Sequence, residues 1–474
     1  MTSDVTIDSG AARRTGRVGL ASAGLSLGVL LSVLDQTVVA TALPEIAADV
    51  GGLGSIGWVA TAYLLASTAT GALYGRVSDR FGRRATYLAA VVLFTVASAL
   101  CALAGGLGQL IAFRALQGIG AGGLFVLPLI ALSELFSADR RGRVQGYLGG
   151  IFALGSVGGP LVGGLLTDRL GWRWIFYINV PLGVLAVLLT ATTLRLPAAA
   201  RRPRLDLPGS ALVVAAVIAL MLAVEWGGRE YAWGSATILS LLAAAVVLFA
   251  AFVWWERRTA DPVLPLRLLA GPVLRVAVPA TVLLGALLYG SVFFLPTYFQ
   301  HAYGMSPTTA GFALVPFVFA FVLASGASGR LAGTLGRHKP FIVAGAVVMT
   351  AGIALLSVLG GGTSYGPVAA GIVVLGLGVG LIMQLLVTVA QNAVPPADLA
   401  ATTSLVMSTR GLGTALGVAF FGTLLNRELD ANVPVADAIP HVFAWAVPVA
   451  LLLFLLTVVM PERKADVPRP ERAA

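Results

Sequence analysis

The chain is dominated by a succession of apolar runs, each long enough to cross a lipid bilayer, separated by short segments that carry most of the charge. A crossing helix needs about 20 predominantly apolar residues. Runs of that kind fall at roughly 18–43, 56–74, 85–104, 108–131, 144–166, 174–194, 207–227, 235–255, 273–298, 308–329, 340–360, 368–390, 402–424 and 442–460. Only 11% of the 474 residues are charged and 58% are hydrophobic. A soluble domain carries about 25% charged residues, so lipid is the solvent for most of this chain. Backbone polar groups in hydrocarbon must be satisfied within their own segment, which predicts an all-α membrane protein of about fourteen transmembrane helices.

The net charge of +10 would suggest nucleic acid in a soluble protein. Here the positions of the basic residues decide otherwise. An even span count puts both termini on one side. Of the 31 Lys and Arg, 25 then fall on that side, in 76–84, 140–143, 195–204, 257–275, 330–339 and the two tails. Arg169, Arg173, Arg229 and Arg427 fall opposite, and Arg114 and Arg410 lie within spans. Such a bias marks the cytoplasmic side and explains the charge with no nucleic-acid partner. The single cysteine, Cys101, excludes an intrachain disulfide, and the three scattered histidines give no metal site. Residues 1–17 are polar and basic, and the apolar run after them is too long for a signal-peptide core, so it is expected to be an uncleaved first spanner.

The linkers divide the chain. Pro- and Arg-rich stretches at 196–208 and 257–272 bracket one pair of spans. The expected organisation is a six-helix half at 18–194, an inserted pair at 207–255 and a second six-helix half at 273–460, with cytoplasmic tails at 1–17 and 461–474. Segment 75–84 reads GRVSDRFGRR and segment 329–338 reads GRLAGTLGRH. Gly, Arg, Gly and Arg recur at positions one, two, eight and nine, and Gly333 stands where the first copy has Asp79. Related halves with a substrate site between them are a common plan for secondary transporters.

Four stretches carry chemistry. Gly75, Asp79, Arg80, Gly82 and Arg83 display one acid among several bases in a tight loop. Asp35, in the run LDQTVVATALP (34–44), is an acid deep in the first span. Charge at that depth is expensive and by default functional. Arg114, followed by Gln117, Gly118 and Gly120, lies in the fourth span about five residues from its outer end, against about nine for Asp35. At 1.5 Å per residue the two depths agree within roughly 6 Å, so they can meet across the cavity. Gly155, Gly158, Gly159, Pro160, Gly163 and Gly164 form a run of small residues broken by a proline, which lets helices approach closely and bends one of them. The bland readings are a solvated basic loop, a static ion pair and generic glycine packing.

At these residues the chain resembles the major facilitator superfamily, and most of all its fourteen-spanner drug:proton antiporter branch, the EmrB/QacA type. The resemblance extends over residues 18–460. It implies that the 75–84 loop latches the halves on the cytoplasmic side, with Asp79 facing the start of the thirteenth span near 402–404 and Arg410 just beyond. It also implies that Asp35 and Arg114 couple protons, and that the Gly155–Gly164 run, found chiefly in exporters, gives the halves a surface to rock on. Family geometry places the first, fourth, ninth and twelfth spans around the cavity, with Gln36, Gln117, Tyr289, Phe293, Phe294 and Gln384 as candidate liners and Tyr63 and Met383 behind them. Aromatics and glutamines suit flat lipophilic, often cationic molecules. The segment 172–181, beginning at Trp172, reads as an interfacial aromatic belt. Glu225 reads as interfacial, and the tenth span has no acid for a dication.

The implied function is a monomeric, proton-coupled exporter of small lipophilic compounds, drugs or secondary metabolites in a bacterial inner membrane, working without a cofactor. Its alternatives are an exporter of one host metabolite and a non-transporting receptor or scaffold. No Walker or GxSxG pattern is present, which leaves an ion gradient as the energy source and gives no sign of an enzyme.

Overall fold

The structure, a computed structural model, describes residues 9–50, 57–136, 138–194, 204–228 and 230–461. Most of both tails, residues 1–8 and 462–474, and residues 195–203 of the first linker lie outside the described residues. Every regular element described is helical. The first half holds α1 (Ser9–Val50), α2 (Trp58–Phe81), α3 (Arg83–Ala102), α4 (Leu107–Leu135), α5 (Ala138–Leu170), α6 (Trp174–Tyr177) and α7 (Asn179–Thr193). Next come α8 (Leu207–Trp226) and α9 (Ala236–Glu256). The second half holds α10 (Leu274–Tyr303), α11 (Pro307–Phe312), α12 (Val315–Leu335), α13 (Lys339–Ser357), α14 (Tyr365–Asn392), α15 (Leu399–Asp430) and α16 (Val435–Val459).

Among the described residues, 13 segments are long and apolar enough to cross a bilayer, counting α6 with α7 and α11 with α12 as single spans. The fourteenth expected span is α2. Thr61, Ser67, Thr68 and Thr70 lower its hydropathy, yet it packs between α4, α15 and α8 as a full-length member of the bundle. The two split spans break for one reason. α6 ends at Tyr177 and α11 at Phe312, each four residues before a proline, Pro181 and Pro316. A proline has no N–H to donate to the carbonyl four residues back, so the helical ladder restarts there.

Packing repeats between the halves. In the first, α1 lies against α5 and α7, α4 against α2 and α3, and α3 against α7. In the second, α10 lies against α15 and α16, α14 against α12 and α13, and α13 against α16. The halves meet where α2 packs on α15 and α5 on α12, two seams related by the same exchange. The repeated loops share a cause as well. Gly82 and Gly336, position eight of each copy, have φ of 91° and 62°, a region that favours glycine. α8 packs on α2 and α15, while α9 packs on α8 and leaves most of its surface to lipid.

Close approach rests on glycines spaced by four. A Cβ at Gly118 would overlap the Tyr63 carbonyl of α2, and one at Gly122 would lie 2.7 Å from the Ser67 carbonyl. At the matching place in the second half, Gly376 faces the Phe317 carbonyl of α12 and Gly380 the Phe321 carbonyl. Gly413 and Gly417 of α15 face the backbone of α10 at Val282 and Ala286 in the same way. Small residues at this spacing let helices associate without help from the hydrophobic effect. Gly417→Leu should therefore force α15 off α10 and destabilise the fold by about 1–3 kcal/mol. A thermal unfolding curve in detergent should show this as a lowered Tm; an unchanged Tm would contradict the packing described.

Candidate functional site

Five helices converge on the acid of α1. Arg114 Nη1 of α4 donates to Asp35 Oδ2 at 2.5 Å. Asp35 Oδ1 accepts from Gln117 Nε2 at 2.7 Å and from Asn179 Nδ2, at the start of α7, at 2.9 Å. Gln117 Nε2 also donates to Ser98 Oγ of α3 at 2.7 Å. Its Oε1 accepts from Arg114 Nη1 at 2.6 Å. Arg114 Nε donates to the Val59 carbonyl of α2 at 3.0 Å, and its guanidinium lies 4.3 Å from the centroid of the Tyr63 ring. The side chains of Arg114 and Asp35 are 1% and 0% exposed. A pair so buried survives because geometry and further hydrogen bonds satisfy both ions; removing one partner typically costs about 3–5 kcal/mol.

Asp35 and Arg114 do meet, as their depths suggested, but behind a wall and not across a cavity. A cavity of about 500 Å³ lies next to them, bounded by α1, α2, α4, α5, α8, α10 and α15. It runs from Gly71 and Met407 to Gly57 and Asn426 near the opposite end of the bundle from the repeated loops. Tyr63 lines it and stands between the cavity and Arg114, and Tyr63 Oη donates to the Ser32 carbonyl at 3.1 Å. Of the six expected liners, Gln36, Tyr289, Phe293 and Phe294 face the cavity. Gln117 and Gln384 do not. Gln117 is spent on Asp35, and Gln384 of α14 is buried against Gly149 of α5, with Met383 buried beside it. The twelfth span, α14, is therefore replaced in the wall by α2 and α15, because α5 seals directly onto α12 and α14. Glu225 also lines the cavity and accepts from Thr61 Oγ1 at 3.2 Å, so its place is not merely interfacial.

The end of the bundle carrying the basic loops is closed. On one seam the Gly75 N–H donates to Ser404 Oγ at 2.9 Å, and a Cβ at Gly75 would lie 2.7 Å from the Ala400 carbonyl. On the other, a Cβ at Gly146 would lie 2.7 Å from the Ser325 carbonyl. Gln145 Nε2 donates to Gln391 Oε1 at 2.6 Å, and Thr388 Oγ1 donates to Gln145 Oε1 at 3.0 Å. Gln391 Nε2 donates to Thr403 Oγ1 at 2.9 Å, and Arg141 reaches Asn392 Oδ1 at 3.0 Å.

Several expected roles shift. The start of α15 is engaged by Gly75, while Asp79 lies in the last turns of α2 and not in a loop, and pairs with Arg83 at the start of α3 at 2.6 Å and more weakly with Arg76 of its own helix at 3.9 Å. Arg83 also holds Glu134 of α4 at 2.9 Å. Arg80 lies over the ring of Phe81. Arg410 is not part of the closure: it lines the cavity, 4.9 Å from the Phe125 ring centroid. Gly155 and Gly159 pack α5 on Val33 and Thr37 of α1, inside one half, and the contacts of α5 across the seam come from Gly146 and Gly149. Gly164 has open space beside it and Gly163 is buried; the Pro160 side chain lies outside the described residues. Trp172 is buried and donates to Asp49 Oδ2 at 3.0 Å, so 172–181 is packed structure as well as belt.

Asn179 and the Gln145–Gln391 pair are the site residues that sequence did not single out. Their one signal was polarity within or beside an apolar run. The close contacts at Gly75 and Gly146 keep α5 and α14 adjacent at this end, so Gln145→Cys with Gln391→Cys, in a Cys101→Ser background, should be joined by a short bifunctional thiol reagent. Adding Gly75→Leu should lower the yield several-fold; equal yields would contradict the closure.

These features define a polytopic helical membrane protein whose two related halves enclose a central cavity. The family description that matches is "Major Facilitator Superfamily", over residues 25–418 and 277–474, and the chain belongs to that superfamily. An uncharacterized MFS-type transporter of Mycobacterium tuberculosis is 40% identical over 411 residues, 86% of this chain and 60% of that protein. The chain thus spans 60% of the length of that relative. The multidrug transporter protein MdtP of Bacillus subtilis is 34% identical over 422 residues, 88% of this chain and 78% of that protein. Among solved structures, the human organic anion transporter MFSD10 superposes with a TM-score of 0.68 at 17% identity, covering 92% of this chain and 99% of that one. The proton:xylose symporter XylE gives 0.67 at 16%, covering 95% and 97%. Identities this low speak for the fold alone.

Proposed function

We propose that the protein is a proton-coupled antiporter that exports small lipophilic compounds by alternating access, in the fourteen-spanner drug:proton branch of the superfamily. It would sit in a bacterial inner membrane with the basic loops and both termini in the cytoplasm. The names of its relatives favour export: MdtP is a multidrug transporter, and an efflux pump of Trichophyton rubrum is 34% identical over 405 residues.

The observation that carries the reading is the sealed Asp35–Arg114 pair one side chain behind the cavity. In the closed-below state the pair is neutral overall and fully hydrogen-bonded. A proton arriving from the outer end adds to Asp35 Oδ2 and takes the place of the Arg114 Nη1–H bond. The pair then carries one net positive charge in a site buried away from solvent. Such a site is stable only if the guanidinium finds another acceptor, so α4 must move relative to α1. The two carbonyl-contacting seams, α2 on α15 and α5 on α12, are the surfaces that part in that movement. When the proton leaves toward the cytoplasm, the pair re-forms and the cavity faces outward again. Tyr63 touches both the cavity and Arg114, so an occupant of the cavity can bias the exchange.

Purified protein in sealed liposomes should move a fluorescent lipophilic probe when a pH gradient is imposed and stop when it is collapsed. Asp35→Asn should still insert in the membrane, with a lowered Tm because the buried Arg114 loses its anion, and should lose gradient-driven transport by at least about 100-fold. Gradient-driven transport at wild-type rate in Asp35→Asn would remove Asp35 from the mechanism.

A further inference from the structure

The deep charge of the cavity is the opposite of what a site for lipophilic cations needs. Two of its lining residues are ionic, Arg410 and Glu225. Thr61 already donates a hydrogen bond to Glu225. Glu225 is the next-to-last residue of α8, about 27 Å along that helix from its basic-loop end, whereas Arg410 is about 16 Å along α15 from the same end. Glu225 is therefore near the mouth and Arg410 deep. Arg410 is 6% exposed. Among the described residues no carboxylate lies within ion-pair distance of it and its side chain makes no hydrogen bond. Its neighbour is the ring of Phe125, 4.9 Å from ring centroid to guanidinium carbon.

Around this cation the wall is aromatic and supplies donors. Phe125 meets Phe152 edge to face at 6.0 Å, and Phe152 meets Tyr289 in the same way at 6.4 Å. Ser408 Oγ lines the cavity and is buried without a partner. The Gln36 amide and the Tyr289 hydroxyl also line it and are not engaged by any hydrogen bond among the described residues. A guanidinium left without an anion in a low-dielectric pocket repels a second cation and attracts a carboxylate, which it can hold with two parallel bonds. The contrast with Arg114 is direct: that cation is neutralised by Asp35 behind the wall, whereas Arg410 lines the space a substrate would fill.

We infer that the cavity takes an amphipathic organic anion, an aromatic or otherwise flat apolar body bearing a carboxylate or comparable acidic group that pairs with Arg410. The aromatic body lies among Phe125, Phe152 and Tyr289, and Ser408, Gln36 and Tyr289 offer the remaining donors. This rests on the proposed transport reading and narrows its substrate class.

Three compounds with one ring system test it: naphthalene-2-carboxylate, naphthalene-2-carboxamide and 2-naphthylmethylammonium, titrated calorimetrically into purified full-length protein. The carboxylate should bind at least about tenfold more tightly than the other two. Arg410→Gln should erase that preference while leaving the carboxamide within about twofold, and Arg410→Lys should retain part of it. Equal or tighter binding of the ammonium, retention of the carboxylate preference in Arg410→Gln, or no binding of any of the three overturns the assignment. Because the readout is binding, carboxylate preference without gradient-driven movement would count against the antiport reading alone.

Discussion

Taking a guanidinium out of water costs several kcal/mol unless something replaces the water, and this chain places two inside its helices. Arg114 meets the cost with Asp35, Gln117 and the Val59 carbonyl, in a cluster that draws α1, α2, α3, α4 and α7 together. The first half is organised around that cluster: Gly118 and Gly120 exist as glycines because α4 must lie close enough to α2 and α3 for the reach to be possible. Arg410 meets the same cost differently, by opening onto a cavity. One arginine is thus fixed by an internal anion, and the other is left facing a space where an anion can come and go.

The two halves are joined by backbone and small side chains more than by charge. Gly75 on Ser404 and Gly146 on Ser325 bring helices to near contact at the two seams, and a thin polar layer of Gln145, Thr388, Gln391 and Thr403 fills the gap between them. Each neutral hydrogen bond of this kind contributes only about 0.5–1.5 kcal/mol net. A closure built from a few such bonds holds a defined state without making it permanent. The inserted pair adds a tie at the same end. Asp206 caps α8 and accepts from the Trp255 indole, Glu256 accepts from the Val263 and Leu264 amides, and Arg76 near the end of α2 donates to the Pro262 carbonyl. The linker after α9 is in this way bonded to the segment whose glycine closes the first seam.

Much of this was legible beforehand, and the reason is the bilayer. Lipid forces helices to be long and apolar, so the spans, the basic loops between them and the lone deep acid stand out against a uniform background. The loop repeat was readable because Gly82 and Gly336 each need a positive φ that glycine supplies freely. Sideways neighbours were not readable. Asn179 looked like part of an interfacial belt because nothing in its spacing says that Pro181 will break the helix and turn its amide onto Asp35. Gln384 and Gln117 looked like liners because a glutamine in an apolar helix signals a polar need without saying where it is met. Arg410 was assigned to the closure on sequence distance from the start of α15, yet three turns of helix carry it past the seam and into the cavity wall.

The central claim is that protonation of Asp35 and exchange of the open end are one event. Paired spin labels report it directly. One pair would replace Tyr147 and Arg330, whose side chains meet across the basic-loop end at 3.2 Å; the other would replace Gly57 and Asn426 at the cavity's far end. In lipid, acidification should lengthen the first distance and shorten the second, and in Asp35→Asn both distances should cease to depend on pH. Reciprocal, pH-driven shifts that persist unchanged in Asp35→Asn would contradict the account.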